Sequence, residues 1–154
     1  MASSARIAVG CDHAGFELKE AVKSFLEDDP FDIEDCGTHG KASVDYTEFG
    51  ARVAQKVASG DYEKGILICG TGLGMSMIAN RFPGVRAALC NDLFSAIMSR
   101  RHNDANILIM GGRVVGTDLA REILRAWLET SFEGGRHKER IVNIDARAKT
   151  ALEK

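Results

Sequence analysis

Proline is nearly missing from this 154-residue chain, with only Pro30 and Pro83, and no proline-, glycine- or serine-rich stretch marks a linker. No internal repeat or low-complexity segment interrupts it either. No apolar run comes near the ~18 residues that a membrane span needs. The opening Met1, Ala2, Ser3 and Ser4 are too few and too polar for a signal peptide. Charge of one sign is lacking as well. A net charge of -2 gives no basic field for nucleic acid or an anionic membrane surface. The four cysteines, Cys11, Cys36, Cys69 and Cys90, contain no C-x-x-C pair. Metal sites usually draw two ligands from one short segment, so no metal is expected even with His13 or His102 to add nitrogen. A chain of this length buries about 68–70% of its unfolded surface and needs no disulfides, so reduced thiols and a cytoplasmic location are the expectation.

What is present is ordinary for a globular domain, 45% hydrophobic and 27% charged, with one exceptional stretch, KGILICGTGLGMSMIANR at 64–81. Residues 65–69 form a short apolar run between glycines, as a strand buried on both faces does. Gly70, Thr71, Gly72, Leu73 and Gly74 follow, and helix-compatible residues begin at Met75. Alternating glycines between strand and helix let bare N–H groups approach a ligand, and the helix start adds a partial positive charge. Such a loop suits an anion, bound or formed during reaction. Cys69 stands at its lip, where thiolate is favoured; ordinary strand-end packing is the competing reading. The loop also resembles a dinucleotide fingerprint, with Asp92 near the spacing of a ribose-binding acid, but Met75 takes the place of the third glycine. No Gly-Lys-Ser/Thr follows, which excludes a P-loop.

The rest of the chain alternates in the same way. Strands are expected at 6–10, 31–36, 65–69, 85–90 and 107–110, the second with one wet face and so at an edge. Helices are expected to bury Leu18, Ala21, Val22, Phe25 and Leu26, then Phe49, Val53, Ala54 and Val57, then Leu93, Phe94, Ile97 and Met98, then Leu119, Ile123, Leu124, Trp127 and Leu128. Short connections then predict an α/β fold with a five-stranded, mostly parallel sheet, in one domain over residues 1–154. A charged helix from about residue 138 packs outside it. The strand order is not readable. Asp12 and His13 close the first strand, where α/β sheets bind ligands, although an N-cap and a solvated loop residue are the plainer readings. His102 and Asn103 end a helix, Arg113 follows the fifth strand, and Arg136 and Arg140 share one face of a helix start. Together these groups point to proton transfer on a small phosphorylated substrate.

Four motifs in order, GCDHAG at 10–15, CGTGLG at 69–74, SRRHNDAN at 99–106 and GGRH at 134–137, resemble the type B ribose-5-phosphate isomerases. That group includes galactose-6-phosphate and allose-6-phosphate isomerases, and the likeness runs from about Arg6 to Ile144. It implies a three-layer Rossmann-like sandwich and an aldose–ketose isomerase using an enediolate and no metal or cofactor. It implies Cys69 as the base, the N–H groups of Gly70, Thr71, Gly72, Leu73 and Gly74 around the enediolate, and Asp12 among the hydroxyls. His102 would open the furanose ring with Thr71 nearby, Asn103 would bind the sugar, and His13, Arg113, Arg136 and Arg140 would hold the phosphate. Some members carry a glutamate where this chain has Met75, so the chain sides with the cysteine users. The family's sites form between two copies, which implies a homodimer, with tetramers possible, and neither nucleic acid nor membrane as partner. A galactose- or allose-phosphate isomerase and a nucleotide-binding regulatory module are the alternatives.

Overall fold

The computed structural model describes residues 4–153; the reading of Met1, Ala2 and Ser3 lies outside them. Five strands are formed: β1 (Ala5–Cys11), β2 (Phe31–Asp35), β3 (Lys64–Cys69), β4 (Ala87–Leu89) and β5 (Ile107–Gly111). They align in the order β2-β1-β3-β5-β4, every neighbouring pair parallel. β3 is central, and its alternation sorts the core. Ile66 and Ile68 join Val9, Leu108 and Met110 on one face, and Leu67 and Cys69 join Ala8, Ile107 and Ile109 on the other. Both faces are covered, which is why the middle strands read as unbroken apolar runs. β2 lies at one edge, as its wet face requires, and β4 at the other.

Six helices make the outer layers: α1 (Phe16–Leu26), α2 (Tyr46–Ala58), α3 (Leu73–Ala79), α4 (Leu93–Asn103), α5 (Thr117–Glu129) and α6 (Arg136–Leu152). Leu18 and Val22 of α1, Ala96 of α4 and Trp127 of α5 pack on the first face, and Phe49 and Val53 of α2 with Met75 and Ala79 of α3 on the second. Leu93 and Phe94 of α4 and Leu119 of α5, expected inward, are exposed instead, because they lie in the first turns, ahead of Ala96 and Ala120, where burial begins. The chain therefore leaves β1 toward one layer and β3 toward the other. Those two strands are neighbours, so their carboxyl ends open a crevice at the switch point.

Beyond one-residue shifts at the ends of β1, β2, β3 and β5, three boundaries differ from the sequence pattern. β4 is three residues long rather than six, because the Arg86 N–H is taken by the Asn106 side chain at 2.8 Å instead of a neighbouring strand. α3 begins at Leu73, inside the glycine loop, and not at Met75. α6 begins at Arg136 rather than near residue 138; His137 is its one buried residue, and it rests against α4.

One charged group lies wholly inside. Lys19 of α1 is fully buried, and its Nζ donates to both oxygens of Asp35 (2.9 and 2.8 Å) and to the Thr38 carbonyl (2.9 Å). This contact ties the end of β2 and the loop after it to α1.

Candidate active site

The Gly72 backbone has φ = 85°, a left-handed conformation that caps α3 at its start. A side chain there would meet the Leu89 Cδ1 at 2.3 Å, so both backbone and space demand glycine. The turn brings the Gly72 N–H to the Cys69 Sγ at 3.2 Å, so a donor of the loop fixes where the thiol points. Gly74 is held for a different reason: a Cβ would lie 2.6 Å from the Tyr46 ring, which packs against the loop. The Thr71 hydroxyl accepts from the Leu73 N–H at 3.2 Å and leaves its residue exposed at the mouth.

The other three thiols differ. Burial pushes Cys11 up to about 12 and Cys90 up to about 11, and it raises Cys36 as well, so all three stay protonated near neutrality. Cys69 is the thiol that meets the glycine loop.

The end of β1 meets the same crevice. The Asp12 N–H donates to the Ile68 carbonyl at 3.2 Å, joining the two loops. Asp12 Oδ1 accepts from the Ala14 and Gly15 N–H groups at 3.0 and 3.1 Å, the N-cap foreseen for it. His13 is more than a solvated loop residue. Its Nδ1 accepts the Val44 N–H at 3.1 Å, which assigns the proton of the neutral ring to Nε2 and makes that atom a donor. Arg113 belongs here too: its N–H donates to the Gly70 carbonyl at 2.9 Å, and its Nη1 lies 3.5 Å from where a Gly70 side chain would begin.

His102, Asn103, Arg136 and Arg140 form no part of this crevice within one chain. α4 starts beside the carboxyl end of β5, where the Gly111 N–H donates to Asn91. It ends beside the amino ends of β3 and β5, where the Asn106 carbonyl accepts from the Gly65 N–H. Its 11 residues span about 16 Å at 1.5 Å per residue. At that far end the His102 ring stacks on His137, centroids 4.3 Å apart and 12° from parallel. Glu133 Oε2 lies 3.9 Å from His102 Nε2 and 3.6 Å from His137 Nε2. Burial first, then His102 and Arg136, lowers His137 from the ordinary imidazole value. The motif pattern left His137 and Glu133 without a role; their spacing of four was the available signal. Among the described residues no cysteine joins a cluster of metal-ligating groups.

The nucleotide alternative loses its acid. Asp92 caps α4, its two oxygens taken by the Ser95 N–H and hydroxyl, both at 2.7 Å. Met75, in the place of the third fingerprint glycine, is fully buried.

The family model for ribose/galactose isomerases matches residues 7–144. Ribose-5-phosphate isomerase B of Escherichia coli (strain K12) is 47% identical over 141 residues, 92% of this chain and 95% of the relative. The solved ribose-5-phosphate isomerase B of Clostridium thermocellum superposes with a TM-score of 0.92 at 50% identity, covering 95% of this chain and 99% of that one. The Mycoplasma genitalium enzyme, solved with bound ribulose-5-phosphate, gives 0.91 at 38% identity, covering 96% and 99%. With the family model matched along most of its length and relatives near half identical in sequence, this chain belongs to the ribose/galactose isomerase family.

Proposed function

We propose that the chain interconverts ribose 5-phosphate and ribulose 5-phosphate, a step of the pentose phosphate pathway, with Cys69 as the base and no metal. The observation that carries this is the Cys69 Sγ lying 3.2 Å from the Gly72 N–H, a thiol among loop donors at the switch-point crevice. As thiolate, Cys69 removes the proton from C2 of the open-chain aldose. The negative charge that develops on the sugar oxygen meets the N–H groups of Gly70, Thr71 and Gly74, joined by those of Gly72 and Leu73 once these turn from the Cys69 sulfur and the Thr71 hydroxyl. The same thiol returns the proton to C1, and Asp12 passes the hydroxyl proton between the sugar oxygens. Asp12 Oδ1 is held by two N–H groups, so Oδ2 is the oxygen for this task.

The phosphate falls to His13, whose Nε2 donates, to Arg113, and to Arg136 and Arg140, whose planar forks suit a dianion. His102, with Thr71 nearby, opens the furanose ring, and Asn103 binds the sugar. Because α4 carries His102 and Asn103 away from their own chain's Cys69, they serve the crevice of a second copy. The working unit is then a homodimer with shared sites, and dimers are free to pair into tetramers. Support comes from large apolar side chains exposed on the elements leaving the carboxyl ends of the strands: Leu73 at 52%, Met77 at 64%, Phe94 at 72% and Val114 at 56%. Residues 1–154 are read as one domain, and four free, buried cysteines suit a cytoplasmic setting. Among the described residues no helix is long and apolar enough to cross a membrane.

The test is turnover of ribose 5-phosphate, allose 6-phosphate and galactose 6-phosphate by enzyme chelated and dialysed to remove metals. Ribose 5-phosphate is expected to be the preferred substrate. Preference for a hexose phosphate would reassign the substrate, and activity regained only with zinc or manganese would overturn the mechanism.

A further inference from the structure

The corner where α4 meets α6 holds a set of ligands that the isomerase chemistry does not use as such. A ring nitrogen of His102, one of His137 and a Glu133 carboxylate oxygen all lie within 4.8 Å of one another. Two imidazoles and one carboxylate are the donor set of open zinc sites, with the fourth position left for an exchangeable ligand. Glu133 and His137 also supply what the cysteine spacing lacks, two ligands from one short segment. We propose that His102, Glu133 and His137 form a binding site for a zinc-class divalent ion, and that the ion inhibits the isomerase by occupying His102.

The donors are held in place by backbone. The Glu133 N–H donates to the Arg101 carbonyl at 3.1 Å, which ties the segment before α6 to the last turn of α4, and the His137 N–H donates to the Gly134 carbonyl at 3.1 Å. Around an ion with ligand distances of about 2.0–2.1 Å, tetrahedral donors sit roughly 3.3 Å apart. The present separations from Glu133, 3.9 and 3.6 Å, need shifts of about half an ångström or less. The two rings are nearly parallel and must tilt so that their lone pairs converge. His102, with 41% of its side chain exposed, has room to do so.

The surrounding charge selects the kind of ion. Arg101 lies 4.0 Å from Glu133, Arg136 precedes His137, and Arg140 follows one turn later. A hard cation held only by charge and oxygen, such as magnesium or calcium, meets three guanidinium groups and a single carboxylate. An ion that bonds well to imidazole, such as zinc, cobalt or nickel, depends less on net charge. Binding stands on this geometry alone; inhibition rests also on the assignment of ring opening to His102.

The experiment titrates cobalt(II), then competing zinc(II), into the chelated and dialysed full chain and reads the visible absorption of cobalt. One ion per chain, with the intense d–d bands of four-coordinate cobalt and no sulfur-to-cobalt charge transfer, is expected. Glu133→Gln, which keeps the side-chain shape, and His137→Ala should each weaken binding by at least the ~10–100-fold seen when an outer partner of a ligand is lost. Undiminished binding in both variants, or a spectrum dominated by sulfur ligation, overturns the site. Zinc should also suppress turnover of ribose 5-phosphate more than that of ribulose 5-phosphate, which forms no furanose ring. Binding lost in the variants without that asymmetry keeps the site and overturns the inhibition. A chain that binds cobalt but turns over no pentose phosphate leaves the site standing and removes the isomerase reading instead.

Discussion

Cys69 ends β3 and Cys90 follows β4, with β5 between the two strands, and the thiols differ in role as much as in place. Cys90 is pushed up to about 11 by burial, whereas Cys69 receives a loop N–H on its sulfur. If Cys69 is the base, Cys69→Ala should lower kcat by about 10²–10⁴-fold, the range for losing a general acid or base, with little change in KM. Cys11→Ala, Cys36→Ala and Cys90→Ala should leave kcat within a few-fold. Steady-state kinetics on ribose 5-phosphate decides, and a near-normal Cys69→Ala enzyme removes the thiol from the reaction. Arg136 and Arg140 make the opposite forecast. A charge-assisted hydrogen bond is worth about 1.5–3 kcal/mol, so Arg136→Ala or Arg140→Ala should raise KM by roughly 10–150-fold. Competitive inhibition by inorganic phosphate should weaken in parallel. Unchanged KM and phosphate inhibition would make them solvated surface charges and return the phosphate to His13 and Arg113.

Among the elements, the junction of α1 with the end of β2 carries the greatest electrostatic cost if broken. Lys19 is fully buried; Asp35 is its nearer and less exposed carboxylate partner at 2.8 Å, with the half-exposed Glu20 at 3.2 Å. Asp35→Ala leaves a buried ammonium without that partner, which should cost about 3–5 kcal/mol of unfolding free energy in denaturant titrations. Replacing the pair together by apolar residues of similar volume should cost far less, because the desolvation of both charges disappears with them. Burial alone would raise the Asp35 carboxyl, but hydrogen bonds from Lys19 and Lys23 outweigh it and hold it below the ordinary range. A carboxyl depressed in the folded state stabilises above its unfolded value of about 3.9 and loses that contribution as pH falls through the folded value. Wild-type stability should therefore drop more steeply than that of Asp35→Ala as pH is lowered from 5 toward 2. Parallel curves would show that the pair contributes nothing pH-dependent.

For the molecule as a whole, the sharing of sites between two copies, which the separation of His102 from its own Cys69 led us to propose, is open to a direct test. In a two-fold dimer with shared sites, Cys69→Ala and His102→Ala damage different halves of each site. Mixing the two variants under conditions of subunit exchange places one intact site in each mixed dimer. Random exchange should then restore about a quarter of wild-type activity from two nearly inactive stocks. No recovery, with exchange verified by mass, would mean that each chain builds its site alone.

Much of this architecture was legible along the chain. Runs such as residues 65–69 and 107–110 reflect burial on both faces, and that local property is what a central parallel strand requires. The glycine loop was legible for the same reason: Gly72 needs a left-handed backbone, a constraint written at a single position. The α3 start at Leu73 and the short β4 were not, because each depends on a distant partner's hydrogen bond or contact. Nor does spacing reveal that the Asp92 carboxylate is spent on Ser95, or that Lys19 finds Asp35 inside. Residue patterns determined which segments are strands and helices and where the glycine loop falls between them. The order β2-β1-β3-β5-β4, the stacking of His102 on His137, and the distance between His102 and Cys69 were settled only in three dimensions. They arise from how crossovers route the chain between layers, and periodicity within a segment carries no information about that route.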